Sequence, residues 1–209
     1  MRSPRPLFIS FEGIDGSGKS TQCKMLYHDL LDRGYAVHLF REPGGTRISE
    51  KIRDILLDKD NVEMSHITEM LLYFSSRSQL ITEKVGPALD RGEIVLLDRF
   101  VDSTIAYQGY GRDLDLTSIL KVAEVAIGSV GPDLTILVDT PLKTAEDRMD
   151  QRELDRLEAE NVEFKQRTRD GYLKLASEEA HRFLVLDGRD TIEALKQQIL
   201  SRVNHILAN

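Results

Sequence analysis

Cysteine is almost absent. Cys23 stands alone among 209 residues, which excludes internal disulfides and suits a reducing compartment. Histidine is sparse and scattered, at 28, 38, 66, 181 and 205. No two have metal-ligand spacing, so no zinc site is expected. Long hydrophobic runs are missing: the longest would cover about half a membrane span, which argues against a membrane protein. The opening MRSPRPLFISF is too short and too quickly polar for a secretory signal, and cytoplasm is the expected location. A basic excess is missing as well. The net charge of −7 argues against non-specific nucleic-acid binding. Asparagine occurs only at 61, 161, 204 and 209, and none begins the N-K-x-D motif with which GTP-dependent switches read guanine. No internal repeat, low-complexity tract or linker is visible.

What is present fits one α/β domain spanning residues 1–209, with 41% hydrophobic residues, enough for a large core. Short apolar runs at 7–11, 36–40, 94–98, 134–139 and 183–187 read as strands. Helical patterns fall between them, at 18–32, 47–57, 63–91 (disturbed by Gly86-Pro87), 116–128, 158–179 and 191–207. This alternation predicts a five-stranded parallel sheet with helices on both faces. On the second helix Ile48, Ile52, Ile55 and Leu56 recur at helical spacing. Farther on, Ile67, Met70, Leu71 and Phe74 are expected to form a core stripe. Residues 142–157 are dense in charge of both signs and are the expected mobile element.

The first strand runs into Gly13-Ile14-Asp15-Gly16-Ser17-Gly18-Lys19-Ser20-Thr21, which satisfies G-x-x-x-x-G-K-[ST] between a strand and a helix. The glycines let backbone N–H groups curl around a phosphate, and the helix N-terminus adds partial positive charge. Lys19 is expected to bridge the β- and γ-phosphates of a nucleoside triphosphate, and Ser20 to give its hydroxyl to Mg²⁺. Cys23, just beyond, is read as packing.

The acceptor is harder to read. The third strand ends in Asp98-Arg99, and an arginine beside a Mg²⁺-side aspartate suggests a second anion close to the γ-phosphate. Arg41 ends the second strand on the edge where such sheets bind ligands, and Arg53 follows the Pro-Gly-Gly loop. Tyr73 and Arg77 are i, i+4 partners; a ring beside a guanidinium fork can stack on a base and bond its edge, or it can be a surface pair. Glu42 could serve as a general base if the acceptor were a nucleoside hydroxyl.

Taken together, FEGIDGSGKST, REPGGT with Arg53, LLYFSSR, DRFVDSTIAYQGYGR, PDLTILVDTP and RELDRLE resemble thymidylate kinases of the bacterial type, from residue 8 to about 160. The last quarter is similar only in pattern. The resemblance implies a P-loop NTPase fold and phosphorylation of dTMP to dTDP by Mg-ATP, a step toward dTTP, by a homodimer. It implies Asp15 at the deoxyribose 3′-hydroxyl, and Arg99 with Arg41 and Arg53 on the acceptor phosphate. Tyr73 would stack on thymine, Arg77 bond its O4, and Thr104 and Gln108 meet the other polar edge. Tyr107 would crowd the 2′ position, and Asp98 would hold Mg²⁺ through water and orient Arg99. In one branch of the family the phosphate loop carries an arginine where this chain has Gly16. The bacterial branch supplies arginines from a lid, here Arg148, Arg152 and Arg156, with Arg152 the first choice for catalysis and Arg148 the second. The family often has Phe where this chain has Tyr73, and with Phe74 adjacent either ring could face the base. Phe100 stands where Tyr or His is common.

Overall fold

The computed structural model describes residues 6–149 and 155–208. Five strands, β1 (Leu7–Glu12), β2 (Val37–Arg41), β3 (Ile94–Asp98), β4 (Leu134–Asp139) and β5 (Phe183–Asp187), form one sheet. Its order is β2-β3-β1-β4-β5, and every pairing is parallel. The absence of apolar/polar alternation in the strands has the expected cause, since β1 is buried along its whole length and helices cover both faces. Leu7, Ile9 and Phe11 pack with α1 (Lys19–Asp32) and α9 (Ile192–Ala208) through Leu26, Leu30, Ile199 and Val203. Phe8 points the other way, into a cluster with Leu80, Val85, Val95 and Phe100.

The order in which strands are added to the sheet reverses beside β1, which lies between β3 and β4. Ligands bind at such a switch point, outside the carboxyl ends of the strands. The register brings those ends together: Phe11 and Arg41 both pair with Asp98.

The helices between strands depart from the sequence reading in three places. The stretch expected as one or two helices over 63–91 is α3 (His66–Leu80), a π-helical turn (Ile81–Val85) and α4 (Gly86–Asp90). Gly86-Pro87 does not break the run, because Pro87 sits in the first turn of α4, where its missing N–H costs nothing. After β3, α5 (Val101–Thr104) passes into a second π-helical segment (Ile105–Gly111), a wide turn of the kind that gathers at functional sites. Beyond α6 (Leu116–Ile127) and β4, the first half of the charged stretch is a helix, α7 (Leu142–Met149), and α8 begins later than expected, at Val162–Glu178.

The expected core stripe of α3 is split. Met70 and Phe74 are buried, but Ile67 and Leu71 are 59% and 45% exposed. On α2 (Arg47–Leu57), Leu56 is buried while Ile48 and Ile55 are exposed. Helical spacing finds an apolar face but does not say what covers it.

Candidate active site

Of the cavities at the carboxyl edge of the sheet, two share a wall made of Asp15, Lys19 and Ser20. The larger, about 500 Å³, is lined by the residues 15–22 of the glycine loop and first helical turn, with Arg148, Gly188 and Asp190 opposite. Gly18 caps α1 in the left-handed region at φ 96°, so backbone N–H groups face the cavity without a side chain in the way. Gly16 has a steric reason too: a Cβ there would collide with the carbonyl oxygen of Ala145. α7 therefore lies directly against the loop. From α7, Arg148 donates to the backbone carbonyls of Ser17 at 3.3 Å and Gly188 at 2.8 Å.

The second cavity, about 260 Å³, lies beyond Lys19 and is rimmed by arginines. Arg41 and Arg53 both donate to the Pro43 carbonyl, at 3.1 and 2.9 Å. Burial first, and the nearby Arg41 second, pull the Arg53 pKa down. Arg41 is also paired with Glu50 at 3.0 Å, so Arg53, with no ion-pair partner within 4 Å among the described residues, is the stronger candidate of the two for an anion.

Arg99 sits at the junction. It follows β3 in the left-handed region at φ 75°, a conformation uncommon for a non-glycine residue. Its backbone N–H donates to the Phe11 carbonyl at 2.9 Å. One guanidinium nitrogen reaches the Gly13 carbonyl, Ser103 Oγ and Tyr172 Oη at 3.0–3.2 Å. The other donates to Asp15 Oδ1 at 2.6 Å and to Tyr107 Oη at 3.1 Å. Asp15 also faces Lys19 Nζ at 3.5 Å and accepts the Tyr107 hydroxyl at 3.0 Å. Burial alone would raise the Asp15 pKa, but Arg99 and Lys19 outweigh it and hold this carboxyl well below the usual range.

Sequence spacing misses the residue beneath Arg99. Glu12, fully buried at the end of β1, accepts from Phe100 N at 2.7 Å, Ser103 Oγ at 2.6 Å and Tyr172 Oη at 3.1 Å. Burial, reinforced by Asp102, pushes its pKa up to about 7 against the pull of Ser103 and Arg99. An acidic residue closing an apolar strand was the available signal. Tyr172, from the last quarter of the chain, gave none.

At the far end of the cavity Tyr73 is half-buried and lines the space, whereas Phe74 is buried against the core. Thr104, Tyr107 and Gln108 line it too. Arg77 is 1% exposed and lies behind the lining. It donates to Glu42 Oε2 at 2.6 Å, Thr104 Oγ1 at 3.0 Å and the Phe100 carbonyl at 3.0 Å. It is no surface pair with Tyr73.

Asp98 and Ser20 line the cavity together, and Asp98 Oδ1 is buried without a hydrogen-bond partner among the described residues. One carboxylate and one hydroxyl suit a hard cation that keeps several waters, as Mg²⁺ does. No cluster of three or more His, Cys, Asp or Glu side chains competes as a metal site among the described residues. Arg152 lies outside the described residues. Arg156 is drawn away from the phosphates: its Nε donates to the Leu56 carbonyl at 3.0 Å, and an Nη lies 2.6 Å from Glu69.

The comparisons with known proteins agree with this geometry. The family model for thymidylate kinase matches residues 11–199. A thymidylate kinase of Thermoanaerobacter sp. (strain X514) is 50% identical over 200 residues, covering 96% of this chain and 98% of that protein. A thymidylate kinase of Geobacter sulfurreducens is 47% identical over 194 residues, 90% of this chain and 91% of its own. The crystal structure of a thymidylate kinase from Ehrlichia chaffeensis superposes with a TM-score of 0.80 at 33% identity, covering 96% of this chain and 99% of that one. With a P-loop at one cavity, an arginine-rimmed cavity beside it and this similarity over nearly the whole chain, the protein belongs to the thymidylate kinase family.

Proposed function

We propose that this chain transfers the γ-phosphoryl group of ATP to dTMP, giving ADP and dTDP. The observation that carries the reading is the shared wall: a P-loop cavity and an arginine-rimmed cavity meet at Asp15, Lys19 and Ser20. A donor and an acceptor bound there would face each other across Lys19.

ATP takes the larger cavity, with residues 13–21 around its phosphates and Lys19 across the β- and γ-groups. Bound Mg²⁺ would neutralise the donor's charge, held by Ser20 and Asp98. dTMP takes the smaller cavity, its phosphate on Arg99, Arg41 and Arg53. Asp15 accepts from the 3′-hydroxyl, and Tyr107, fixed between Asp15 and Arg99, leaves no room for a 2′-hydroxyl. Tyr73 stacks on thymine. Thr104 and Gln108 meet one polar edge, and Arg77, with two of its five N–H groups uncommitted among the described residues, offers a donor to O4. A phosphate oxygen of dTMP attacks the γ-phosphorus and ADP leaves; positioning and positive charge suffice, without a covalent enzyme intermediate.

The chain acts as one domain, with residues 142–157 as a lid that excludes water and brings positive charge. Arg148 is the described arginine nearest the donor cavity, and Arg152 remains the first choice for contact with the transferring group. The reading places the enzyme in the cytoplasm, consistent with its single thiol.

Coupled ADP release with Mg-ATP against dTMP, dUMP, dCMP, dAMP, thymidine and buffer tests this directly. Turnover is expected with dTMP and near zero in buffer. Equal rates in every well would make water the acceptor and end the proposal. Turnover with thymidine would instead make Glu42 a base.

The functional unit is a homodimer. α3 lies between α2 and α6, and together they expose Ile48, Ile55, Ile67, Leu71 and Leu120, an apolar face that a second copy would bury. Sedimentation equilibrium is expected to give the mass of two chains, and Leu71→Arg the mass of one. A wild-type monomer at micromolar concentration would refute the dimer.

A further inference from the structure

Beneath the base end of the acceptor cavity, Gln108 belongs to a polar cluster whose other members, Glu69, Arg112 and Arg156, have no part in the reaction described above. Glu69, on α3 one turn before Tyr73, is fully buried. Its Oε1 accepts from Gln108 Nε2 at 2.9 Å and Arg112 Nε at 3.3 Å. Its Oε2 accepts from Arg112 Nη at 3.1 Å and lies 2.6 Å from an Nη of Arg156. Burial would raise the Glu69 pKa, but Arg112, Gln108 and Arg156 hold it below the usual range, so the group is ionised at neutral pH. An ionised carboxylate can only accept. The Gln108 amide therefore has a single orientation. Its NH₂ faces Glu69, and Oε1, with no hydrogen-bond partner among the described residues, is left for the cavity that Gln108 lines.

We infer that Glu69 is a positioning residue for base choice: by locking the Gln108 amide it makes the base end of the cavity a hydrogen-bond acceptor, selecting a pyrimidine that carries a proton at N3. The inference rests on the thymidylate reading. Thymine offers N3–H to that oxygen. Cytosine presents a lone pair at N3, so two acceptors would face each other in a buried site, and a site built to pair a polar group rejects the analogue that cannot pair.

The substitution Glu69→Gln tests the orientation. One amide carbonyl oxygen remains as acceptor, and Arg112 and Arg156 claim it. The new NH₂ then faces Gln108, whose amide must turn over and point its own NH₂ into the cavity. The ratio of kcat/KM for dTMP over dCMP is expected to fall about tenfold or more, mostly through a higher KM for dTMP, with kcat changed less than about threefold. The double exchange Glu69→Gln with Gln108→Glu keeps the charge of the cluster and restores an acceptor facing the base, so it should recover the ratio. A purely structural role for Glu69 would lower the melting temperature and kcat for both nucleotides alike and leave the ratio unmoved. A folded Glu69→Gln variant with the wild-type ratio, or a double exchange without recovery, would overturn the inference. If the single variant fails to fold, the double exchange decides alone. Wild-type enzyme inert toward dTMP would instead remove the thymidylate reading, and this inference with it.

Discussion

Replacing Arg99 by lysine is expected to lower kcat/KM for dTMP on the order of a thousandfold. The size follows from how many acceptors the guanidinium serves at once. One end holds the Gly13 carbonyl, Ser103 and Tyr172, and the other holds Asp15 and Tyr107. A lysine ammonium is a compact charge with three donors and cannot span both ends. It would settle on Asp15, leave the Gly13 carbonyl and Tyr172 unserved, and present no planar fork to the acceptor phosphate. Lysine does not change the backbone requirement at φ 75°, because it is no more and no less strained there than arginine. The variant should therefore remain folded, held by the bonds from Arg99 N to Phe11 and from Phe100 N to Glu12. Steady-state kinetics, paired with a thermal melt, checks this. A folded variant less than about tenfold impaired would remove Arg99 from the acceptor phosphate.

The strands and the phosphate loop were legible because each carries a local signal. Short apolar runs without alternation mark buried parallel strands, and glycines at fixed spacing before Lys19 mark the loop. The placement of Arg77 was not legible. Its i, i+4 spacing with Tyr73 locates both side chains on one face of α3, but the depth of that face depends on Glu42 and Phe100, from distant segments. Glu69 shows the same limit more sharply. It lies four residues before Tyr73 and eight before Arg77, so a face plot would have found it. Its meaning comes from Gln108, Arg112 and Arg156, which only the fold assembles. Exposed Ile67 and Leu71 fail for the opposite reason: helical periodicity registers apolarity, and an apolar face left exposed reads like a core. The assignment of 142–157 as a charged stretch missed that α7 is pressed against Gly16, since a helix of mixed charge has no strong apolar stripe and is fixed by a backbone contact.

Arg77→Met should destabilise the protein by about 2–3 kcal/mol at pH 8, and by less at pH 5. Arg77 is the cation facing the buried Glu42 carboxylate, at 2.6 Å, with side-chain exposures of 1% and 3%. Burial raises the Glu42 pKa from 4.5 to about 7 even though Arg77 pulls it down. Methionine fills much of the volume between Phe74 and Phe100, which the guanidinium now covers at 5.2 and 5.3 Å, but it removes that pull, and the folded-state pKa of Glu42 must rise further. The sign follows from linkage. A carboxyl whose folded pKa lies above its unfolded value binds more protons folded than unfolded, so stability is fully present below about pH 4.5 and is lost as pH rises through the folded value. In the wild-type protein that loss is complete a little above pH 7. In the variant it continues to higher pH, so the gap between the two is constant up to about pH 7 and then widens, by at most about 1.4 kcal/mol at pH 8. What remains at pH 5, roughly 1–2 kcal/mol, is the loss of the bonds to Thr104 and the Phe100 carbonyl. Urea melts of both proteins at the two pH values measure the gap. A pH-independent difference would mean that Glu42 is not charged in the fold, and that Arg77 holds the base end of the cavity by packing and neutral hydrogen bonds alone.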